Sequence, residues 1–285
     1  MLSPELIHKA NLIFLKSRQK VTDIFSGEFA SAFRGRGIEF EEFREYSPGD
    51  DVRQIDWNVT ARTNKPYVKI FREEREQTLF FIVDFSKSLD FGAKRSKRDV
   101  LTELAALLSY ATIKSNDKVG LITFTDRVEQ FLPSQKGKAH VWRLISTLLT
   151  QEAKGQGTLM TEALKFFLQV QKRRSTCFLI SDFLTDINWD LLKVAKFKHD
   201  LVCIRIQDPM EHNLPTGALM DFYDLEEGTR VALDATQTTA SKGLQDPQNL
   251  KLEMQKIGID FLDLQTQDEP VEKLIQFFIQ RGKKR

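Results

Sequence analysis

The chain has 285 residues, with 42 Lys+Arg against 40 Asp+Glu and a net charge of +2. Hydrophobic residues make up 41% and charged residues 29%, a balance that excludes a disordered or collagen-like chain and allows one large domain or two small ones. So even a charge balance supplies no global field for nucleic acid, so no nucleic-acid partner is expected and any basic site must be local.

Between Pro4 and Phe25, Leu6, Ala10, Ile13, Phe14, Val21, Ile24 and Phe25 recur at helical steps, which predicts an amphipathic helix capped by Ser3 and packed on the protein's own body. Charges interrupt its apolar residues, and no stretch of the chain reaches ~18 consecutive apolar residues, so no membrane span is expected. Peripheral membrane contact through this helix and the basic end RGKKR stays open. Cys177 and Cys203 each sit in an apolar, β-branched run, where a small buried thiol is the default and a reducing, cytoplasmic compartment fits best.

Residues 34–66 are dense in Arg, Asp, Glu, Gly and Pro with little regular period, and read as a structured loop region followed by a half-exposed strand, Tyr67 to Phe71. From Leu79 the pattern changes to alternating strands and helices. Strand LFFIVD is followed by a helix over 96–115, strand KVGLITF, an antiparallel return at Val128 to Leu132, and helices over 138–150 and 158–171. Strand STCFLIS, a short helix over 189–197 and strand DLVCIRI complete the run. This order predicts an α/β fold, a doubly wound and mostly parallel Rossmann-type sheet with one antiparallel edge. After Pro209 an inserted hairpin turning at 226–228 is expected, then a helix over 237–256, strand IDFLDLQ and a helix over 270–280. The division expected is a 1–77 helix, loop and strand extension packed on a 78–285 main domain.

Ligand sites of such sheets lie at the carboxyl ends of strands. Asp84-Phe85-Ser86-Lys87-Ser88 stands at such an end, and alternate residues of the turn present one carboxylate and two hydroxyls. Thr158, in a glycine-flanked loop, and Asp182, closing STCFLIS, add oxygen donors. Hard oxygen ligands of this kind suit Mg²⁺ or another divalent cation and leave a position for an outside group. Capping of turns by the same Asp and Ser residues is the competing explanation.

In order and spacing these residues resemble the metal-ion-dependent adhesion site of the von Willebrand factor A fold: Asp84, Ser86 and Ser88 match its first motif, Thr158 its second and Asp182 its third. The resemblance covers about residues 78–282. It departs at Phe183, where many A domains carry glycine, and a stiffer loop with Phe183 screening the metal is expected. The upstream GRGIEFEEFREYSPGDDVRQIDWNVTART is similar to the signature of the bacterial family called domain of unknown function fifty-eight. That resemblance rests on Gly35, Gly37, Phe40, Arg44, Tyr46, Gly49, Asp50, Asp51, Arg53, Asp56, Trp57, Ala61, Arg62 and Thr63. It implies an A-like domain working near a MoxR-type AAA+ ATPase partner in protein assembly or maturation.

In that segment Arg44, Arg53 and Arg62 match Asp50, Asp51 and Asp56 in number, so a charge-paired network braced by Trp57 is one expectation. The other makes Arg44, Arg53, Asp56, Trp57 and Arg62 a partner-binding surface.

No Walker lysine motif, nucleophile elbow or dinucleotide fingerprint occurs, and His8, His140, His199 and His212 lie on separate elements. No catalytic residue and no organic cofactor are expected. The expected function is a metal-assisted module that captures a carboxylate of a protein partner. A Mg²⁺-dependent phosphoryl hydrolase with Asp84 or Ser86 as nucleophile, or a metal-free scaffold, are the alternatives. Replacing Asp84 or Ser86 by alanine is expected to leave the fold intact.

Overall fold

The structure, a computed structural model, describes residues 38–63, 65–73, 77–155, 157–211, 219–223, 230–234 and 247–284. The helix expected at Pro4 to Phe25, the turn at 226–228, the first part of the helix expected over 237–256, and His8 and His212 lie outside the described residues. Two compact units divide between Gln77 and Thr78.

In the first unit, β1 (Ile38–Glu45) pairs antiparallel with β2 (Tyr67–Glu73). Between them lie a 3-10 turn, Val52–Gln54, and a short helix α1, Trp57–Thr63. The segment is therefore more regular than the loop expected over 34–66. A shift of register between Phe40 and Glu42 breaks the two-residue alternation that marks a strand, and α1 has 7 residues, too few to show a helical period. Asp56 starts α1 by accepting the amides of Asn58 at 2.8 Å and Val59 at 3.1 Å, which satisfies two of the donors a helix start leaves open.

The second unit is built on a six-stranded sheet in the order β10-β7-β6-β3-β4-β5. Its strands are β3 (Thr78–Asp84), β4 (Lys118–Phe124), β5 (Val128–Gln135), β6 (Thr176–Ser181), β7 (Asp200–Gln207) and β10 (Asp260–Gln265). All pair in parallel except β5, which returns antiparallel along the free edge of β4. Helices α2 (Lys97–Ser115), α3 (Lys138–Thr150), α4 (Met160–Val170), α5 (Trp189–Lys198), α6 (Pro247–Lys256) and α7 (Pro270–Lys284) connect or follow the strands. A two-stranded antiparallel ribbon, β8 (Leu219–Tyr223) with β9 (Arg230–Asp234), is the inserted hairpin.

Side chains alternate across the strands, so each buried strand feeds two cores. Phe80, Ile82, Ile122, Cys177, Leu179, Leu201 and Cys203 join Phe167 of α4, Leu192 of α5 and Met254 of α6 in one core, while α2 packs on α3 and α7. Both cysteines are free and buried, and burial holds the two thiols well above their ordinary range, so neither is a reactive thiolate.

From β3 the chain moves outward to β4 and β5, then crosses back to β6 on the other side of β3. The C-terminal ends of β3 and β6 therefore flank the topological switch point, where doubly wound sheets open a crevice.

Candidate metal centre

The first site motif follows from how β3 ends. Phe85 still pairs with β4 through its amide on the Phe124 carbonyl at 2.7 Å, and Leu89 is buried in the 3-10 turn Lys87–Asp90. With these two anchors inward, Lys87 points to solvent. Ser86 Oγ and Ser88 Oγ come within 2.9 Å of one another.

Asp84 lies behind that pair with no solvent exposure. Its Oδ1 accepts the Ser86 amide at 2.9 Å and its Oδ2 the Ser181 hydroxyl at 2.7 Å. Burial, together with the charge of Asp182, pushes the Asp84 carboxyl up to about 6, against the pull of the Ser181 and Ser86 hydrogen bonds. Alanine at 84 would strand those two donors inside the protein, so the expectation that Asp84→Ala is neutral to the fold is corrected: it removes a buried acceptor from both.

Asp182, one residue past β6, is also buried. Its Oδ1 accepts the Leu184 amide at 3.2 Å, and its Oδ2 is held by the Lys97 ammonium at 2.8 Å. Lys97 also donates to Glu211 Oε1 at 2.5 Å. Burial by itself would lower the Lys97 ammonium's affinity for its proton, but Asp182 and Glu211 outweigh burial and raise it above the usual lysine range. Glu211 is fixed in turn, accepting the Asp208 amide at 3.1 Å, and buried Asp208 accepts the Thr266 hydroxyl at 2.5 Å and the Ala93 amide at 3.2 Å. Lys97, Ser181, Asp208 and Glu211 were not anticipated. The signal that finds Lys97 is helical phase: Leu101, Leu104 and Leu108 are buried on α2, and stepping back four residues from Leu101 places Lys97 on the same face.

Thr158 is half-buried, and its loop is tied on two sides. The Thr185 hydroxyl donates to the Thr158 carbonyl at 2.9 Å, and the Leu159 amide donates to the Thr125 carbonyl at 2.8 Å. Gly155 lets this loop approach the β4–β5 turn, since a Cβ there would lie 2.0 Å from Asp126 Oδ1 and 2.1 Å from Thr125 Oγ1. Gly155→Ala is expected to cost about 1–3 kcal/mol of stability and to move the Thr158 loop, read as a lower urea midpoint with amide shift changes clustered at 125–129 and 154–159.

Phe183 does not screen this crevice. Its φ is +57°, the left-handed conformation glycine usually supplies, but the ring is buried in the core with Phe80 and Leu179 and meets Phe261 edge-on at 6.2 Å. Burial of the ring, about 2–3 kcal/mol, offsets the conformational cost of about 1–2 kcal/mol.

The donors suit a hard dication held by hydroxyls. The two serine hydroxyls are hydrogen-bonded to one another at 2.9 Å, a separation that two neighbouring ligands at ~2.0–2.1 Å in an octahedron would also have. Each carboxylate oxygen of Asp84 and Asp182 accepts one hydrogen bond and keeps a further lone pair for a donor such as water or for an ion. Among the described residues no group of three or more His, Cys, Asp or Glu is placed to hold an ion.

The upstream segment pairs differently from the expected count. Arg44 meets Asp50 at 2.7 Å and Arg53 meets Asp51 at 3.4 Å, but Asp56 meets Lys69 at 2.8 Å and not an arginine, because β2 rather than a loop runs past it. Trp57 is 67% exposed rather than packed at the centre of a network, on a helix that buries none of its residues; Arg53 and Arg62 are exposed as well. Both described histidines are buried packing residues: His140 Nε2 lies 2.8 Å from the Val119 carbonyl, and His199 Nδ1 lies 3.1 Å from the Ser175 hydroxyl. No described helix is long and apolar enough to cross a membrane.

Residues 42–247 match the family described as "Protein of unknown function DUF58". The chain is 31% identical over 229 residues to the uncharacterized protein Rv1480 of Mycobacterium tuberculosis, covering 79% of this chain and 72% of that one. In structure it is similar to an aerotolerance-related membrane protein from Bacteroides fragilis, at a TM-score of 0.50 and 17% identity over 73% of this chain and all of the other (100%), a likeness of fold. The VWA domain of SpRpn10 aligns at a TM-score of 0.40 and 13% identity over 70% of this chain and 94% of that domain.

Proposed function

Because this chain belongs to the DUF58 family and carries an A-like doubly wound sheet with a hydroxyl pair at its switch point, we propose that it is a protein-binding module whose Ser86–Ser88 centre captures a carboxylate of a partner. The observation that carries this reading is the 2.9 Å hydroxyl pair set over buried Asp84. Ser86, Ser88 and Thr158 would hold Mg²⁺, with Asp84 and Asp182 behind them as acceptors for bound water. A dication held there supplies an electropositive point for an incoming Asp or Glu.

Two exposed leucines support a protein as the occupant. Leu159, 51% exposed, follows Thr158, and Leu184, 47% exposed, follows Asp182 by two residues. Their loops are joined by the Thr185 to Thr158 hydrogen bond, so apolar side chains stand beside the polar residues, as do the contacts that exclude water from the centre of a protein interface. The finer reading is a partner of the MoxR-type AAA+ class, in a reducing cytoplasm that suits the two free cysteines. In this reading the module acts by binding and itself uses no nucleotide. A metal-free scaffold is the second reading, favoured by the Lys97 ammonium already resting on Asp182.

Ser88 is the cleanest probe, because it is half-buried and fills no core. Ser88→Ala is expected to weaken Mg²⁺ binding by about tenfold or more, measured by calorimetry, and to weaken capture of a purified MoxR-type ATPase to the level seen in EDTA. Capture that ignores both EDTA and Ser88→Ala would move the contact to the exposed surface around Arg53 and Trp57.

A further inference from the structure

Lys97 enters the crevice from the first residue of α2 and is 1% exposed at its side chain. Its position is set by several bonds besides its own ion pairs. Ser96 caps the helix in a reciprocal capping box with Asp99, and the Lys97 amide donates to the Phe91 carbonyl at 2.9 Å. The ammonium then bridges the end of β6, through Asp182, to the turn after β7, through Glu211. Asp182 is the carboxylate whose charge Asp84 feels across the adjacent strand end. A positive charge therefore stands on the carboxylate next to Ser181, whose hydroxyl donates to Asp84 at 2.7 Å, while Asp84 in turn accepts the Ser86 amide at 2.9 Å.

That charge affects any dication in two ways. It repels the ion, and repulsion between charges in a water-poor crevice is screened far less than at a surface. It also takes one lone pair of Asp182 Oδ2, which leaves fewer for a bound water or an ion. We infer that Lys97 is a built-in cation of this centre that limits how tightly the Ser86–Ser88 pair holds a divalent ion, so that Mg²⁺ binds more weakly to the native chain than to one with an uncharged side chain at position 97. The inference rests on the reading of the serine pair as a divalent-cation site.

The test uses the full chain and Mn²⁺, whose free concentration is read by its paramagnetic resonance signal, with Lys97→Gln, Lys97→Arg and the native protein compared. Lys97→Gln keeps a hydrogen-bond donor and removes the charge, and should bind Mn²⁺ about tenfold or more tightly than the native chain. Lys97→Arg keeps the charge and should stay within about threefold of native, a change below 1 kcal/mol. The thermal midpoint in millimolar Mg²⁺ against EDTA is the second readout, and the rise should be larger for Lys97→Gln than for the native chain because the dication replaces the missing charge. Equal or weaker Mn²⁺ binding by Lys97→Gln, with the native chain binding, overturns the role of Lys97 and leaves the metal reading standing. Binding by neither chain overturns both. A Lys97→Gln chain that stays unfolded in both buffers also overturns the inference, since the ammonium would then serve the fold and not the centre.

Discussion

Lys97→Ala is expected to lower the unfolding free energy by about 3–5 kcal/mol in metal-free buffer at neutral pH, read from the urea midpoint. The magnitude comes from what the substitution leaves behind. Asp182 is 4% and Glu211 14% exposed at the side chain, so removing their shared partner leaves one buried and one largely buried carboxylate without it. The alanine keeps only Cβ, so it also leaves the space of three methylenes and an ammonium at the first residue of α2. Removing one carboxylate together with the ammonium should cost less than the sum of the single changes, so Lys97→Ala with Glu211→Ala is expected to be strongly non-additive. A loss below about 1 kcal/mol for Lys97→Ala would show that water reaches the carboxylates and that the pair contributes as a surface ion pair does.

Stability should fall by about 3 kcal/mol between pH 6.5 and pH 4 on account of His199 alone. Burial, aided by the cations Lys198 and Arg174, lowers the His199 imidazole to about 4. The ring is 1% exposed and packs on Phe167 with centroids 4.6 Å apart. Above the unfolded value near 6.5 the ring is neutral in both states and stability is at its full level. As pH falls below it the unfolded chain takes up a proton that the folded chain refuses, and the loss is complete near the folded value. Asp84, raised to about 6, acts in the opposite sense over a similar range, so the measurement is a difference. The urea midpoint of His199→Gln should lack the acid slope that the native chain shows beyond its other groups. Parallel slopes for the two proteins would mean that the folded protein charges His199 as readily as the unfolded chain does.

Much of the fold was legible because each element carries its own signal. The apolar run ending in Asp84 reads as a buried strand, the segment over 96–115 reads as a helix, and the close return after Phe124 reads as an antiparallel neighbour. The first unit was less legible. A slipped register in β1 and a helix of 7 residues leave no period long enough to recognise, and Asp56 shows its capping role only beside the amides it accepts.

Sequence alone determined the architecture and set Asp84, Ser86 and Ser88 together at one strand end, because hydrophobic period and strand-end chemistry are local properties: the three span five residues of one turn. Tertiary structure decided which charges meet. Lys97 lies 85 residues from Asp182 and 114 from Glu211 along the chain, and only the crossing from β5 to β6 and on to β7 places those strand ends beside the start of α2. It also decided that Phe183 turns into the core and that Trp57 faces outward. The physical reason is the same throughout: local periodicity states which residues avoid water, but the partner of a buried charge, and the direction a side chain leaves a strained turn, depend on neighbours that come from distant parts of the chain.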